Sequence, residues 1–241
     1  MVLAILLVLV VASARLVIWR WHADTRLFTL AMFAVVISRM AGLPRIGDRH
    51  LDPALAAVFG ENISDLIVTT FLAVASWLLG MIGLRALTRT QDRQSSRRRY
   101  QRAATVWSVV QLAVIVALIL TSRLGEAART PVSDEFALTD SASLGYIGVY
   151  LFEIALIGAV LIAVCGKALR TSRIRLRHAM MAVTALTVCG LGYVAFVVWA
   201  LVANPSMLRE HHSAIIATAA APALVALAVA GLYGLVAALG S

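Results

Sequence analysis

The sequence predicts an all-α polytopic membrane protein, a single domain of seven transmembrane helices with the N-terminus outside and the C-terminus inside. Three observations predict it. Apolar residues form 61% of the 241-residue chain and charged residues only 14%, a balance outside the range of ordinary globular domains. Several apolar runs reach the roughly 18 to 20 residues that cross about 30 Å of hydrocarbon at about 1.5 Å per residue. Between two of them, Arg85 to Arg102 (RALTRTQDRQSSRRRYQR) carries seven arginines against one acid, Asp92. Short loops rich in arginine stay on the cytoplasmic face, so this one sets the direction of every span around it.

Val2 to Trp19 is the first span. Its Ala12-Ser13-Ala14 triplet resembles a signal-peptidase site, but no basic residue precedes the apolar core, so the run is read as a retained span. Arg20 and Arg26 hold its far end inside. Leu27 to Leu43 returns outward, and Pro44 ends it. The next loop mixes Arg45 and Arg49 with Asp48, Asp52 and Glu61, and its Leu51 to Phe59 part has the character of a short interfacial helix. Ile63 to Leu84 is the third span, with Asn62 as its expected N-cap. Ala104 to Ser122 is the fourth and Leu144 to Ala168 the fifth. Ala179 to Ala203 is the sixth, closed by Asn204-Pro205, and Ser213 to Leu239 is the seventh.

With these spans the inner loops are strongly basic, whereas the outer loops hold more acid than base. The net charge of +9 therefore reads as topology and contact with anionic lipid headgroups, not as nucleic-acid binding. Trp19, Trp21, Trp107 and Trp199 near span ends fit an interfacial aromatic belt. Cys165 and Cys189 fall in apolar segments and read as small buried hydrophobes, not as a disulfide or metal pair. The expected location is a bacterial plasma membrane, crossed several times.

Glu153 is the most informative candidate. It lies at the tenth position of the fifth span, about 15 Å deep at about 1.5 Å per residue, and a carboxyl group at that depth is a functional hypothesis by default. Tyr146 and Tyr150, seven and three residues earlier, share its helix face. The stripe suits a proton- or cation-sensitive site, or a neutral glutamic acid bonded to a neighbouring helix. Arg39 and Asp65 lie near the outer ends of spans two and three, where a salt bridge competes with snorkelling of Arg39 and with N-terminal capping by Asp65. Arg15, near the inner face, is expected to snorkel. Glu210, His211 and His212 form an outer loop without the spaced third ligand that zinc needs, so no metal site is expected. Pro222 interrupts span seven. Ala226, Ala230, Gly234 and Ala238 in that span, like Ala155, Ala159 and Ala163 in span five, make smooth strips for packing within the bundle or between copies.

The arginine-rich loop after span three, Leu176-Arg177 at the start of span six and Gly190-Leu191-Gly192-Tyr193 within it resemble a group of actinobacterial seven-span integral membrane proteins of unknown function, usually filed as transporters or regulatory membrane proteins. The resemblance implies an N-out seven-span module, often beside a helix-turn-helix regulator. That group usually carries a cytoplasmic tail after its last span, which is not expected here.

Chemistry narrows the expected function. A seven-span retinal protein needs a lysine in its last span for the Schiff base, and the only lysine is Lys167. No HExxH, GxSxG or Walker A motif occurs, so neither enzymatic activity nor a cofactor is expected. The reading is a regulatory or receptor-like module that docks a cytoplasmic partner or lipid headgroups through Arg93, Arg97, Arg98, Arg99, Arg102, Arg170, Arg173 and Arg175. The alternatives are a small solute or proton-coupled transporter or channel subunit using Glu153, and an accessory subunit of a homo-oligomer or larger membrane complex.

Overall fold

Leucine, valine and alanine runs too long for strands satisfy their backbone groups in hydrocarbon only as helices, and helices are what the chain forms. The computed structural model describes residues 1–19, 23–43, 45–59, 63–88, 94–121, 141–171 and 174–239, and all regular structure among them is helical. Helix α1 (Val2–Ala14) tightens into a 3-10 turn over Arg15–Ile18. Helix α2 is Ala23–Ala41. A π-helical turn, Gly47–Leu51, leads directly into α3, Asp52–Phe59, which is the short helix expected between spans two and three. The long helices follow: α4 (Ile63–Thr88), α5 (Gln94–Thr121), α6 (Ser141–Thr171), α7 (Ile174–Ala203) and α8 (Pro205–Leu239).

Two segments read as loops are helical instead. Arg85 belongs to α4, and Arg97, Arg98, Arg99 and Arg102 to the first turns of α5. Arginine and glutamine are good helix formers, so charge alone does not end a helix. Glu210, His211 and His212 lie in α8, which starts at Pro205. The side-chain oxygen of Asn204 accepts the Met207 N–H at 3.3 Å, and proline at the first helical position fits a helix start. At about 1.5 Å per residue, the 35 residues of α8 outreach a hydrocarbon core of roughly 30 Å.

Leu66–Gly83, Met181–Ala203 and Ala217–Leu239 are each long and apolar enough to cross a membrane, with shorter apolar stretches at Val2–Ile18 and Ile147–Ala163. The surface agrees with this. Leu3 and Val202 are both 84% exposed, and Val17, Val106 and Val109 are exposed as well, a density of apolar surface that water does not tolerate. These properties suit a membrane protein.

Each of six helices packs on the next in the closed succession α1, α2, α4, α6, α7, α8 and back to α1, while α5 lies against α4 and α6. Ile5, Val8, Val11 and Ala12 of α1 cover the seam between α2 and α8, meeting Met32, Val35, Leu224 and Leu227. A second cluster joins α6 to α7 through Ile147, Leu151, Val197 and Ala200. Lipid offers apolar contact on every side, so these interfaces rest on fit between surfaces and not on expulsion of water. Of the small-residue strips, Ala230 on α8 is buried, but Ala159 and Ala163 on α6 are exposed and take no part in this bundle.

The start of α4 is tied by a residue outside it. Asp52 accepts the Ser64 N–H at 2.8 Å and the Ser64 hydroxyl at 2.9 Å, satisfying one of the first-turn donors that a helix leaves open. Asn62, the cap expected from the sequence, lies outside the described residues, as does Pro44.

Candidate functional site

Inside the bundle, residues of α2, α4, α6, α7 and α8 line a partly open cavity of about 170 Å³. Cross-contacts fix the levels of its walls. The Ser38 hydroxyl donates to the Val68 carbonyl at 2.8 Å, placing the end of α2 beside the second turn of α4. Leu66 packs with Ile147 and Leu151, which brings the start of α6 to the same height. Arg39 and Tyr150 therefore share one level, and Tyr193 enters from α7 close below. Toward the other end the walls are Leu79, Leu161 and Leu186, with Leu72, Leu224 and Leu227 along the sides. From the level of Val68 to Leu79 is roughly 15 Å at about 1.5 Å per residue.

The polar groups in this space differ in what they have left to offer. Thr187 is buried and donates to the Val183 carbonyl at 2.8 Å, so its hydrogen is used within α7. Arg39 is half-buried, and among the described residues it makes no hydrogen bond or ion pair. A salt bridge to Asp65 and snorkelling are the two readings the sequence offers for this residue; in the structure it lines the cavity. The partner considered for it, Asp65, has its side chain outside the described part of the structure. The same holds for Glu153 and Tyr146, although both belong to α6, with Glu153 one turn beyond Tyr150. Of the intramembrane candidates, then, Arg39 and Tyr150 line the same cavity.

No family model, curated protein or solved structure matches this chain.

The cavity also collects residues to which the sequence reading gave no role. Gly190 and Tyr193, from the Gly-Leu-Gly-Tyr stretch of α7, both line it, as do Ser76 and Cys189. Their helical spacing along α7 was visible, but nothing in one sequence says which neighbour that face meets.

Arg15 departs furthest from expectation. Instead of snorkelling it is only 4% exposed, folded between α1, α2 and α8. Its Nη1 donates to the Gly231 carbonyl at 2.7 Å and its Nε to the Thr29 hydroxyl at 3.3 Å. Thr29 passes its own hydrogen to the Thr25 carbonyl at 2.8 Å. The guanidinium carbon lies 5.0 Å from the centre of the Phe28 ring, within cation–π range. Glycine makes the room: a Cβ at Gly234 would stand 2.7 Å from Nη1, and one at Gly231 would stand 2.9 Å from Val11 Cγ1. The α8 strip read as a helix-packing surface is thus also the seat of a buried cation.

The basic residues fall at helix ends. Arg98 and Arg102 are exposed on α5, four residues apart and so on one face. The side chains of Arg97, Arg99, Arg170 and Arg175 lie outside the described part, and Arg93 and Arg173 lie outside the described residues altogether.

Proposed function

We propose that the chain is a receptor-like, regulatory module of a bacterial plasma membrane, crossing it seven times with the N-terminus outside and the C-terminus inside. It senses a small molecule in the bundle and docks a cytoplasmic partner through its basic helix ends. The observation that carries this reading is the cavity, polar at the Arg39 level and apolar beyond it, the usual pattern of a small-molecule site. In this reading α1 with its 3-10 turn, α2, α4, α5, α6, α7 and α8 are the seven spans.

The arginines support the other half of the reading. Four of them crowd the first turns of α5, where no acidic residue offsets the positive end of the helix dipole. Each cation placed there opposes the dipole by about 0.3–1 kcal/mol. Their position makes sense for holding that end at an anionic headgroup layer or against an acidic protein surface. The likeness to actinobacterial seven-span proteins points the same way.

Reporter fusions at the two termini test the topology, with opposite faces expected; reporters on the same face refute it. Affinity capture from membranes, with Arg97, Arg98, Arg99 and Arg102 changed together to Gln, tests the docking. A cytoplasmic partner captured by the wild type should be lost from the variant, and equal capture by both refutes the role of these residues. A second reading, a proton-coupled transporter or channel subunit, rests on the place of Glu153 in α6 one turn from a tyrosine of the cavity. Glu153→Gln with pH-driven uptake into vesicles decides it: loss of uptake with capture intact favours transport over docking.

A further inference from the structure

We infer that the cavity binds a monoanionic carboxylic acid with an elongated apolar body of medium length. The inference rests on reading this cavity as a sensing site, and it adds what the site recognises. Three observations converge on it.

The first is charge. Arg39 is the one cationic side chain lining the cavity among the described residues, and no described residue pairs with it. A guanidinium is a planar fork of donors that matches a carboxylate in two parallel hydrogen bonds. Tyr150 and Tyr193 line the same end, and a tyrosine ring lies well against hydrocarbon.

The second is polarity along the axis. Beyond the tyrosines, Leu79, Leu161, Leu186 and Leu227 offer nothing that hydrogen-bonds, Thr187 has given its hydrogen to the backbone, and Ser76 and Cys189 add no positive charge. A second ionised end would stand without a counter-charge in this part, so the chemistry selects a single ionised head group.

The third is size. A volume of about 170 Å³ slightly exceeds the roughly 150 Å³ of an apolar cavity that accepts benzene, and the roughly 15 Å depth favours a narrow body. A straight chain of about eight carbons with its head group at Arg39 lies along this narrow, partly open space. Free medium-chain acids are the assigned ligands, and the long-chain acids of lipids, which share the head group, are the competing outcome of the test.

The test measures binding of octanoate, octanamide and palmitate to the purified full chain in nanodiscs, against empty discs as the blank. The wild type should bind octanoate at least tenfold more tightly than octanamide, and more tightly than palmitate. Equal affinity for octanoate and octanamide, or no binding of either, overturns the inference without recourse to any variant. Tighter binding of palmitate overturns the assignment to free medium-chain acids. In Arg39→Gln, checked for an unchanged melting temperature, the preference for acid over amide should fall to within twofold; a preference that survives places the carboxylate elsewhere. Ala223→Phe, which fills the side of the cavity, should weaken both eight-carbon ligands at least tenfold, and unchanged binding places them outside it. None of these readouts depends on the arginines of α5. The acid can fail to bind while partner capture persists, or the reverse, so failures of the two readings are told apart.

Discussion

Replacing Gly234 with alanine puts a methyl group where the Arg15 guanidinium lies. The new Cβ would stand 2.7 Å from Nη1 and 3.6 Å from the guanidinium carbon, whereas non-bonded heavy atoms settle at about 3.5–4 Å. Nη1 must withdraw by roughly 1 Å, and it is the atom that donates to the Gly231 carbonyl at 2.7 Å. With 4% exposure, and with Thr29 and Phe28 on its other sides, the side chain has little room to turn. A hydrogen bond from a charged donor contributes about 1.5–3 kcal/mol, and exchanging glycine for alanine inside a helix returns about 1 kcal/mol. Gly234→Ala should therefore destabilise the protein by about 0.5–2 kcal/mol. In an Arg15→Met background the obstruction is gone, and the same change should stabilise by up to about 1 kcal/mol. Unfolding of the four proteins in mixed micelles gives the coupling energy. A coupling below about 0.5 kcal/mol, the range of independent sites, refutes the contact.

Other outcomes follow from residues already placed. Asp52→Ala should cost about 1–2 kcal/mol by leaving the Ser64 N–H without its acceptor, and Asp52→Asn, which keeps one acceptor oxygen, should cost less; equal melting temperatures for all three proteins would remove Asp52 as the cap of α4. Leu227, 1% exposed, should lose about 2–5 kcal/mol on truncation to alanine. Leu232, 50% exposed on the same helix, should lose within about 0.5 kcal/mol, and comparable losses at both positions would contradict the helix orientation. Cys189 lines the cavity and is half-buried, while Cys165 is 1% exposed. N-ethylmaleimide should therefore modify Cys189 first, as read by peptide mass, and the opposite order would contradict the placement of the cavity.

What the sequence made legible was mostly one-dimensional. Hydrophobic runs placed the long helices to within a few residues at α2, α4 and α7, and the short helix α3 was visible from Leu51 to Phe59. Helix ends were harder where polarity was taken for a loop: the first turns of α5 and α8 are charged yet helical, because a helix that has left the hydrocarbon still bonds internally. Arg39 and Tyr150 stood out as polar groups in apolar runs. Their place in one cavity did not, since it depends on which faces of α2 and α6 turn inward around α4. Arg15 was misjudged for a similar reason. A cation near a span end reads as snorkelling unless its neighbours are known, and the glycines that admit it lie on the last helix of the chain.

The bond between Arg15 and Gly231 joins residues 216 positions apart, and that separation bears on the order of biosynthesis. When α1 first leaves the ribosome the acceptor for its guanidinium has not been made, and nearly the whole chain must follow before it exists. The charge near the end of α1 must meanwhile rest in water or against other polar groups. Its burial therefore belongs to the last stage of assembly, when arrival of α8 gives the first helix its permanent seat. A chain stopped before Gly231 should carry a first helix with nowhere to put its arginine, a lesion that membrane quality control is suited to detect.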